Sequence, residues 1–181
     1  MLASLGLTEG LARLLLEPED LVMNPVLAPF RDHPTALFTY RPDTLIGCPA
    51  EILRRRPECP EVRTNSLGLR DVERTLERTE GVRRVLSVGE STAAGSMVSI
   101  EEAYPWRVQE ALKARGEPVE VINAGVEAYT SWQIYAWLEA EGMAFSPDVV
   151  LVYVEGNDRQ PTGITDEYQF QYKVQGTDRE L

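Results

Sequence analysis

Three short stretches carry residue types suited to acyl chemistry. Gly89-Glu90-Ser91 follows an apolar run (Val85, Leu86, Val88) and precedes the small residues Ala93, Ala94 and Gly95. That order predicts a buried strand entering a tight turn that presents the Ser91 hydroxyl beside the N–H groups of a helix start. Asn123-Ala124-Gly125 follows a second apolar run, and Gly156-Asn157-Asp158 follows a third. Acyl transfer needs a nucleophile and donors aimed at the developing oxyanion. Ser91 can be the first. The N–H groups of Ser91 and Gly125 and the Asn157 amide can be the second. Plainer roles stand beside these: a turn serine, a glycine for a tight strand-helix turn, an asparagine capping a strand end. Asp158 reads as a structural carboxylate that bonds loop N–H groups. Glu90 reads as a turn residue, since a carboxylate is a feeble base for a hydroxyl.

These stretches must be held by the elements that precede them. The pattern from residue 83 alternates strands and helices. Strands are expected over 83–89, 119–123 and 149–154. The third is continuously apolar and so is expected to be buried on both faces. Ser99 with Glu102 and Thr130 with Gln133 each make a capping box. Tyr104, Val108, Ala111 and Leu112 form one helical stripe, stopped by Gly116. Ile134, Trp137 and Leu138 form another, ended by Gly142. Strand-helix-strand-helix-strand predicts a parallel sheet with right-handed crossovers. Ligands of such sheets bind beyond the carboxyl ends of the strands, where all three stretches fall.

The flanks are less regular. Residues 8–17 read as a short amphipathic helix with Leu7, Leu11, Leu14 and Leu15 on one face. Seven of the twelve prolines lie in residues 25–60. Each removes a donor and fixes φ, which predicts a lead-in with only short regular elements. Asn65 and Gly68 mark a turn, and residues 72–80 are charged and expected to be exposed. Near the end, Tyr168, Phe170, Tyr172 and Val174 alternate with polar residues, as in a half-exposed strand or a loop over the site. Trp106, Trp132 and Trp137 are expected in the core.

The three blocks, in this order and spacing, resemble the SGNH/GDSL hydrolases, a family of serine esterases and lipases. Gly89-Glu90-Ser91 resembles the family's Gly-Asp-Ser block, Asn123-Ala124-Gly125 its second block, and Asn157-Asp158 its third. Asn65-Ser-Leu-Gly-Leu-Arg-Asp71 resembles a lead-in found in bacterial members. The likeness covers about residues 65–160. It implies a flavodoxin-like three-layer α/β/α fold with a parallel sheet. It also implies Ser91 as nucleophile, Gly125 N–H and the Asn157 side chain as oxyanion donors, and an acyl ester as substrate. Two blocks depart from the pattern: Glu90 replaces Asp, and Glu155 stands where the third block has Gly. The family's base is a histidine three residues after an aspartate near the C-terminus. This chain has one histidine, His33, far upstream and read as solvated or locally bonded. The expectation is therefore an ester hydrolase whose Asp and His lie beyond residue 181, with residues 1–81 as lead-in and 82–181 as the α/β domain. The alternative is a non-catalytic binding or assembly module.

Composition narrows the partners. The net charge is −11, divided as −2 over residues 1–90 and −9 over 91–181. The second half would repel phosphates, which argues against nucleic acid. Arg54, Arg55 and Arg56 read as a solvated turn. No apolar run approaches the roughly 20 residues of a membrane span. The residue pattern points to no metal and no cofactor. Cys48 and Cys59 are read as two free thiols. The N-terminus lacks a basic leader, which places the chain in the cytoplasm by default. The oligomeric state stays open, although a truncated parallel sheet would expose an edge.

Overall fold

Arg83–Gly89 forms the central strand because its apolar residues serve both faces in turn: Val85 points one way, Leu86 and Val88 the other. The computed structural model describes residues 29–48 and 50–159. The helix expected over 8–17 and the aromatic alternation at 168–174 lie outside these residues.

Within the lead-in, β1 (Phe30–His33) and β2 (Leu37–Tyr40) make an antiparallel hairpin. A second pair is β3 (Leu45–Ile46) with β4 (Val62–Arg63), separated by the short helix α1 (Ala50–Leu53). The elements are short, as the prolines require. Cys48 and Cys59 are joined in a disulfide, with Cα atoms 6.2 Å apart. This corrects the expectation of two free thiols: Cys59 is buried, and the folding of the lead-in brings the pair within bonding reach.

The α/β unit follows. β5 (Arg83–Gly89) leads to α2 (Ser91–Ala94), α3 (Tyr104–Lys113), β6 (Val119–Gly125), α4 (Ser131–Ala140) and β7 (Val149–Tyr153). β5 pairs in parallel with β6 on one side and β7 on the other, so the order is β6-β5-β7. Gly89 is level with Gly125 and with Tyr153, so the three carboxyl ends form one edge. Val85, Val119 and Val121 face α3 through Val108 and Leu112. Leu86, Val88, Ile122 and Ala124 face α4 through Ile134 and Trp137. Two apolar faces of one parallel sheet, each covered by a helix, make an α/β fold with three layers.

The lead-in shares the second of those cores. Phe30, Phe38, Tyr40, Ile46 and Leu69 pack in the same cluster as Leu86, Ile122 and Trp137. Phe30 stacks on Tyr40 with ring centroids 4.9 Å apart, and Phe38 meets the edge of Tyr129 at 5.4 Å.

Both capping boxes form as read, Ser99 with Glu102 and Thr130 with Gln133. Other details differ. α3 buries Pro105 and Gln109, and Ala111 of the expected stripe is exposed. Gln109 is drawn in because its Oε1 accepts the Val121 N–H at 3.0 Å. β6 runs two residues past Asn123, and α4 ends at Ala140, before Gly142. β7 is exposed at Val149, Leu151 and Val152 rather than buried on both faces. It is an edge strand among the described residues, with a neighbour on one side only. Trp137 is core, but Trp132 is 47% exposed on the first turn of α4. No helix of the described residues is long and apolar enough to cross a membrane.

Candidate active site at the sheet switch point

The strand order turns back between β5 and β7: the chain leaves β5 for β6 on one side and returns to β7 on the other. In open α/β sheets the crevice outside that reversal is the usual ligand site. Ser91 follows β5 and Asn157 follows β7, so the crevice has one on each lip.

Ser91 is the first residue of α2 and is half-buried. Neither its Oγ nor its N–H has a partner among the described residues. A helix-start N–H without an acceptor is a ready donor to negative charge. The turn before it requires glycine. A Cβ on Gly89 would lie 2.6 Å from both the Ala93 Cβ and the Tyr153 carbonyl oxygen.

Glu90 ties the two lips together. It is buried, and its Oε1 accepts the Gly156 N–H at 3.1 Å while Oε2 accepts the Asn157 N–H at 3.2 Å. The Asn157 side chain donates one amide hydrogen to the Tyr129 carbonyl at 2.8 Å. The second amide hydrogen of that planar group then has a set direction. Asp158 Oδ1 accepts the first helical N–H of α4, from Ser131, at 2.9 Å. It is a structural carboxylate, as its position in a loop suggested. Glu155 accepts the Tyr153 hydroxyl at 2.7 Å on the exposed rim.

Gly125 serves the edge by its smallness. A Cβ there would lie 2.6 Å from the Ala93 carbonyl carbon and closer still to the Ala94 nitrogen. Its N–H donates to Asn123 Oδ1 at 3.0 Å, so in this structure that donor is already engaged, unlike the Ser91 N–H and the second amide hydrogen of Asn157. Asn123 in turn sits above the lead-in turn. Its N–H donates to Asp71 Oδ2 at 2.9 Å, and its amide reaches the Ala94 carbonyl at 3.3 Å. Burial pushes the Asp71 carboxyl above its ordinary pKa, against the pull of the Arg74 guanidinium 2.9 Å away.

His33 is remote from Ser91. It is buried rather than solvated: Nδ1 accepts the Ala36 N–H at 3.0 Å and Nε2 faces Glu141 Oε1 at 3.1 Å. Glu141 follows the last residue of α4. Ser131 opens that ten-residue helix on the site side, so His33 is about 15 Å away along the helix axis. Among the described residues Ser91 has no histidine partner.

Several contributors gave little signal in the sequence. Arg70 is 2% exposed and donates to the carbonyls of Ala94 and Val98. Burial pulls its pKa below the ordinary guanidinium value. Glu127 accepts the Ser96 hydroxyl, and its N–H donates to the Tyr40 hydroxyl at 3.3 Å. Burial, then the charge of Glu127, raises the Tyr40 hydroxyl well above its ordinary pKa. Ala128 takes a left-handed φ of 64° in the loop whose next carbonyl holds Asn157. Strain of that kind gathers at functional loops. The sequence marked residues 65–71 by their Asn-x-x-Gly turn and by their resemblance to a family lead-in, but not the contacts that Arg70 and Asp71 make at the site.

No family model matches the chain. In sequence it is 30% identical over 80 residues to an arylesterase of Vibrio mimicus, covering 44% of this chain and 40% of that protein. Among solved structures, the SGNH-hydrolase family esterase AlinE4 and a mutant of it are 29% identical; each match covers 45% of this chain and 44% of theirs, with a TM-score of 0.37. The chain thus spans less than half the length of these relatives. Over that stretch it is similar to one arylesterase and to one esterase of the SGNH-hydrolase family, at modest identity.

Proposed function

We propose that this chain carries the nucleophile side of a serine ester hydrolase. Within the α/β domain of residues 82–181, Ser91, Gly125 and Asn157 supply the nucleophile and the oxyanion donors, and the described part of the lead-in packs beside them. Ser91 Oγ attacks the ester carbonyl carbon, and its proton passes to a histidine, oriented by an aspartate, from beyond residue 181. The tetrahedral oxyanion accepts hydrogen bonds from the Ser91 N–H and the second amide hydrogen of Asn157. Gly125 N–H joins them only by releasing Asn123 Oδ1. Collapse expels the alcohol with the proton held by the base, and water then hydrolyses the acyl-Ser91 ester. The observation that carries this reading is the pairing of Ser91 and Asn157 across the switch point, clamped by Glu90. The Cys48–Cys59 disulfide favours an oxidising compartment over the cytoplasm.

The engaged Gly125 N–H favours a second reading, a non-catalytic module that keeps the sheet edge. One experiment separates the two. Hydrolysis of p-nitrophenyl acetate is measured for a chain extended downstream, with and without Ser91→Ala. Loss of turnover in the variant supports the hydrolase; equal rates refute the nucleophile. The 181-residue chain itself is expected to turn over weakly or not at all.

A further inference from the structure

The lead-in and the α/β unit enclose a cavity of about 100 Å3 beside the nucleophile turn. Leu45, Ile46 and Met97 form apolar wall; Arg70, Ser96 and Glu127 form polar wall. Two contacts place it next to Ser91. The Ser96 N–H donates to the Ser91 carbonyl at 3.0 Å, so Ser96 sits just past the end of α2, folded back on its first turn. Glu127 follows Val126, whose N–H donates to the Gly89 carbonyl at 3.0 Å, two residues before the serine.

The polar wall has unused capacity. Of the five donors of a guanidinium, Arg70 spends one on Ala94 and one on Val98. It is buried with no carboxylate at ion-pair distance among the described residues, and the charge of Glu127 acts on it only from farther off. A buried cation without a paired carboxylate is costly unless other groups complete its hydrogen bonds. Glu127 accepts Ser96 through Oε1, and its Oε2 has no partner among the described residues. The cavity therefore offers a donor and an acceptor of opposite charge. A neutral group that both accepts and donates suits it better than a free ion of either sign. An apolar cavity of about 150 Å3 holds benzene, so this smaller one suits roughly four heavy atoms.

We propose that the cavity recognises a secondary acetamide group, carried by the substrate away from the scissile ester. Its carbonyl accepts from Arg70, its N–H donates to Glu127 Oε2, and its methyl packs on Leu45, Ile46 and Met97. The group does not react; it anchors the substrate so that remote binding energy positions the ester. The word substrate rests on the hydrolase reading above, whereas the binding itself needs no turnover.

The test titrates N-methylacetamide into the full chain and follows the backbone amides of Ser96, Met97 and Glu127 by NMR. Concentration-dependent shifts are expected, unchanged by Ser91→Ala. Binding should weaken about fivefold in Glu127→Ala, the scale of one lost hydrogen bond. Methyl acetate, which lacks the N–H, should be about as much weaker on the wild type. Leu45→Trp fills the cavity from a strand position 45% exposed, where the fold tolerates it, and should abolish the shifts. Equal titration in wild type and Leu45→Trp, or methyl acetate binding as tightly as the amide, overturns the proposal. Ser91-dependent hydrolysis without amide binding sinks this inference alone. Amide binding without Ser91-dependent hydrolysis sinks the hydrolase reading alone.

Discussion

Replacing Glu90 by Gln tests whether one carboxylate holds the two lips of the crevice. Glu90 is 5% exposed and accepts two backbone N–H groups, from Gly156 and Asn157. Both bonds are to a charged acceptor, each worth about 1.5–3 kcal/mol net. Gln keeps one acceptor oxygen and sets an NH2 against the other N–H, so one of the two bonds is lost and a donor faces a donor. Asn157 is itself only partly buried, so water meets some of the orphaned N–H, and the cost stays within the range for a single such bond, at about 2–3 kcal/mol. The loss is local to the loop after β7. Native-state hydrogen exchange of the Gly156 and Asn157 amides should therefore quicken roughly 30- to 150-fold, at tenfold per 1.4 kcal/mol. Amides at the centre of β5 should keep their protection within the change in global stability. Turnover of the extended chain should fall with KM little changed, because Asn157 would lose its aim. Unchanged exchange at both amides would refute the clamp, and so the argument that Glu90 positions Asn157.

Other expectations follow from the same geometry. Gly125→Ala drives a Cβ into the backbone of α2; overpacking of this kind costs about 1–3 kcal/mol or more, read as a lower urea midpoint. Replacing Cys48 and Cys59 together by Ser removes a cross-link spanning 11 residues. Stability should drop by about 3 kcal/mol on the chain-entropy scale, and urea unfolding that matches the wild type would count against the disulfide. Asp148 accepts the Arg84 N–H at 2.7 Å and pairs with Arg78 at 2.6 Å, and these hold its pKa below the ordinary 3.8. A depressed carboxyl contributes its stability above the unfolded value and loses it as pH falls through the folded one. Asp148→Asn should thus flatten the acid limb of unfolding below pH 3.8 and leave the slope above it unchanged. Arg84 is buried with its donors on Glu120 and on the carbonyls of Leu76, Glu77 and Phe145. Arg84→Ala orphans those groups and should cost about 3–5 kcal/mol, measured by chemical unfolding.

Local chemistry explains how much of the fold could be read without coordinates. The strand at 83–89, the two capping boxes and the alternation of strands and helices are properties of neighbours in the chain. Periodicity and a Ser or Thr three residues before Glu or Gln report them directly. The same holds for Gly89, Ser91 and Asp158, whose place at strand ends follows from the element order. What failed depended on distant partners. β7 reads as a doubly buried strand because its five apolar residues cannot announce that, among the described residues, one side lacks a neighbour. Trp132 and Ala111 are exposed, and Gln109 buried, because a helix face is chosen by what packs on it. The disulfide escaped because Cys48 and Cys59 meet only once the strands between Leu45 and Arg63 have paired.

The chemistry divides along the same line. Residue order alone puts Ser91, Gly125 and Asn157 after three parallel strands, and so at one sheet edge, since a parallel sheet aligns its carboxyl ends. Which donors stay open is a tertiary matter. Gly125 gives its N–H to Asn123, Asn157 is aimed by the Tyr129 carbonyl and by Glu90, and Ser91 keeps its N–H without an acceptor among the described residues. Arg70 and Glu127, 57 positions apart by their numbering, reach one cavity only because the lead-in packs against the sheet edge. A hydrogen bond or a cavity wall needs groups within a few ångströms, and for residues this far apart in the chain only the folded packing decides that distance.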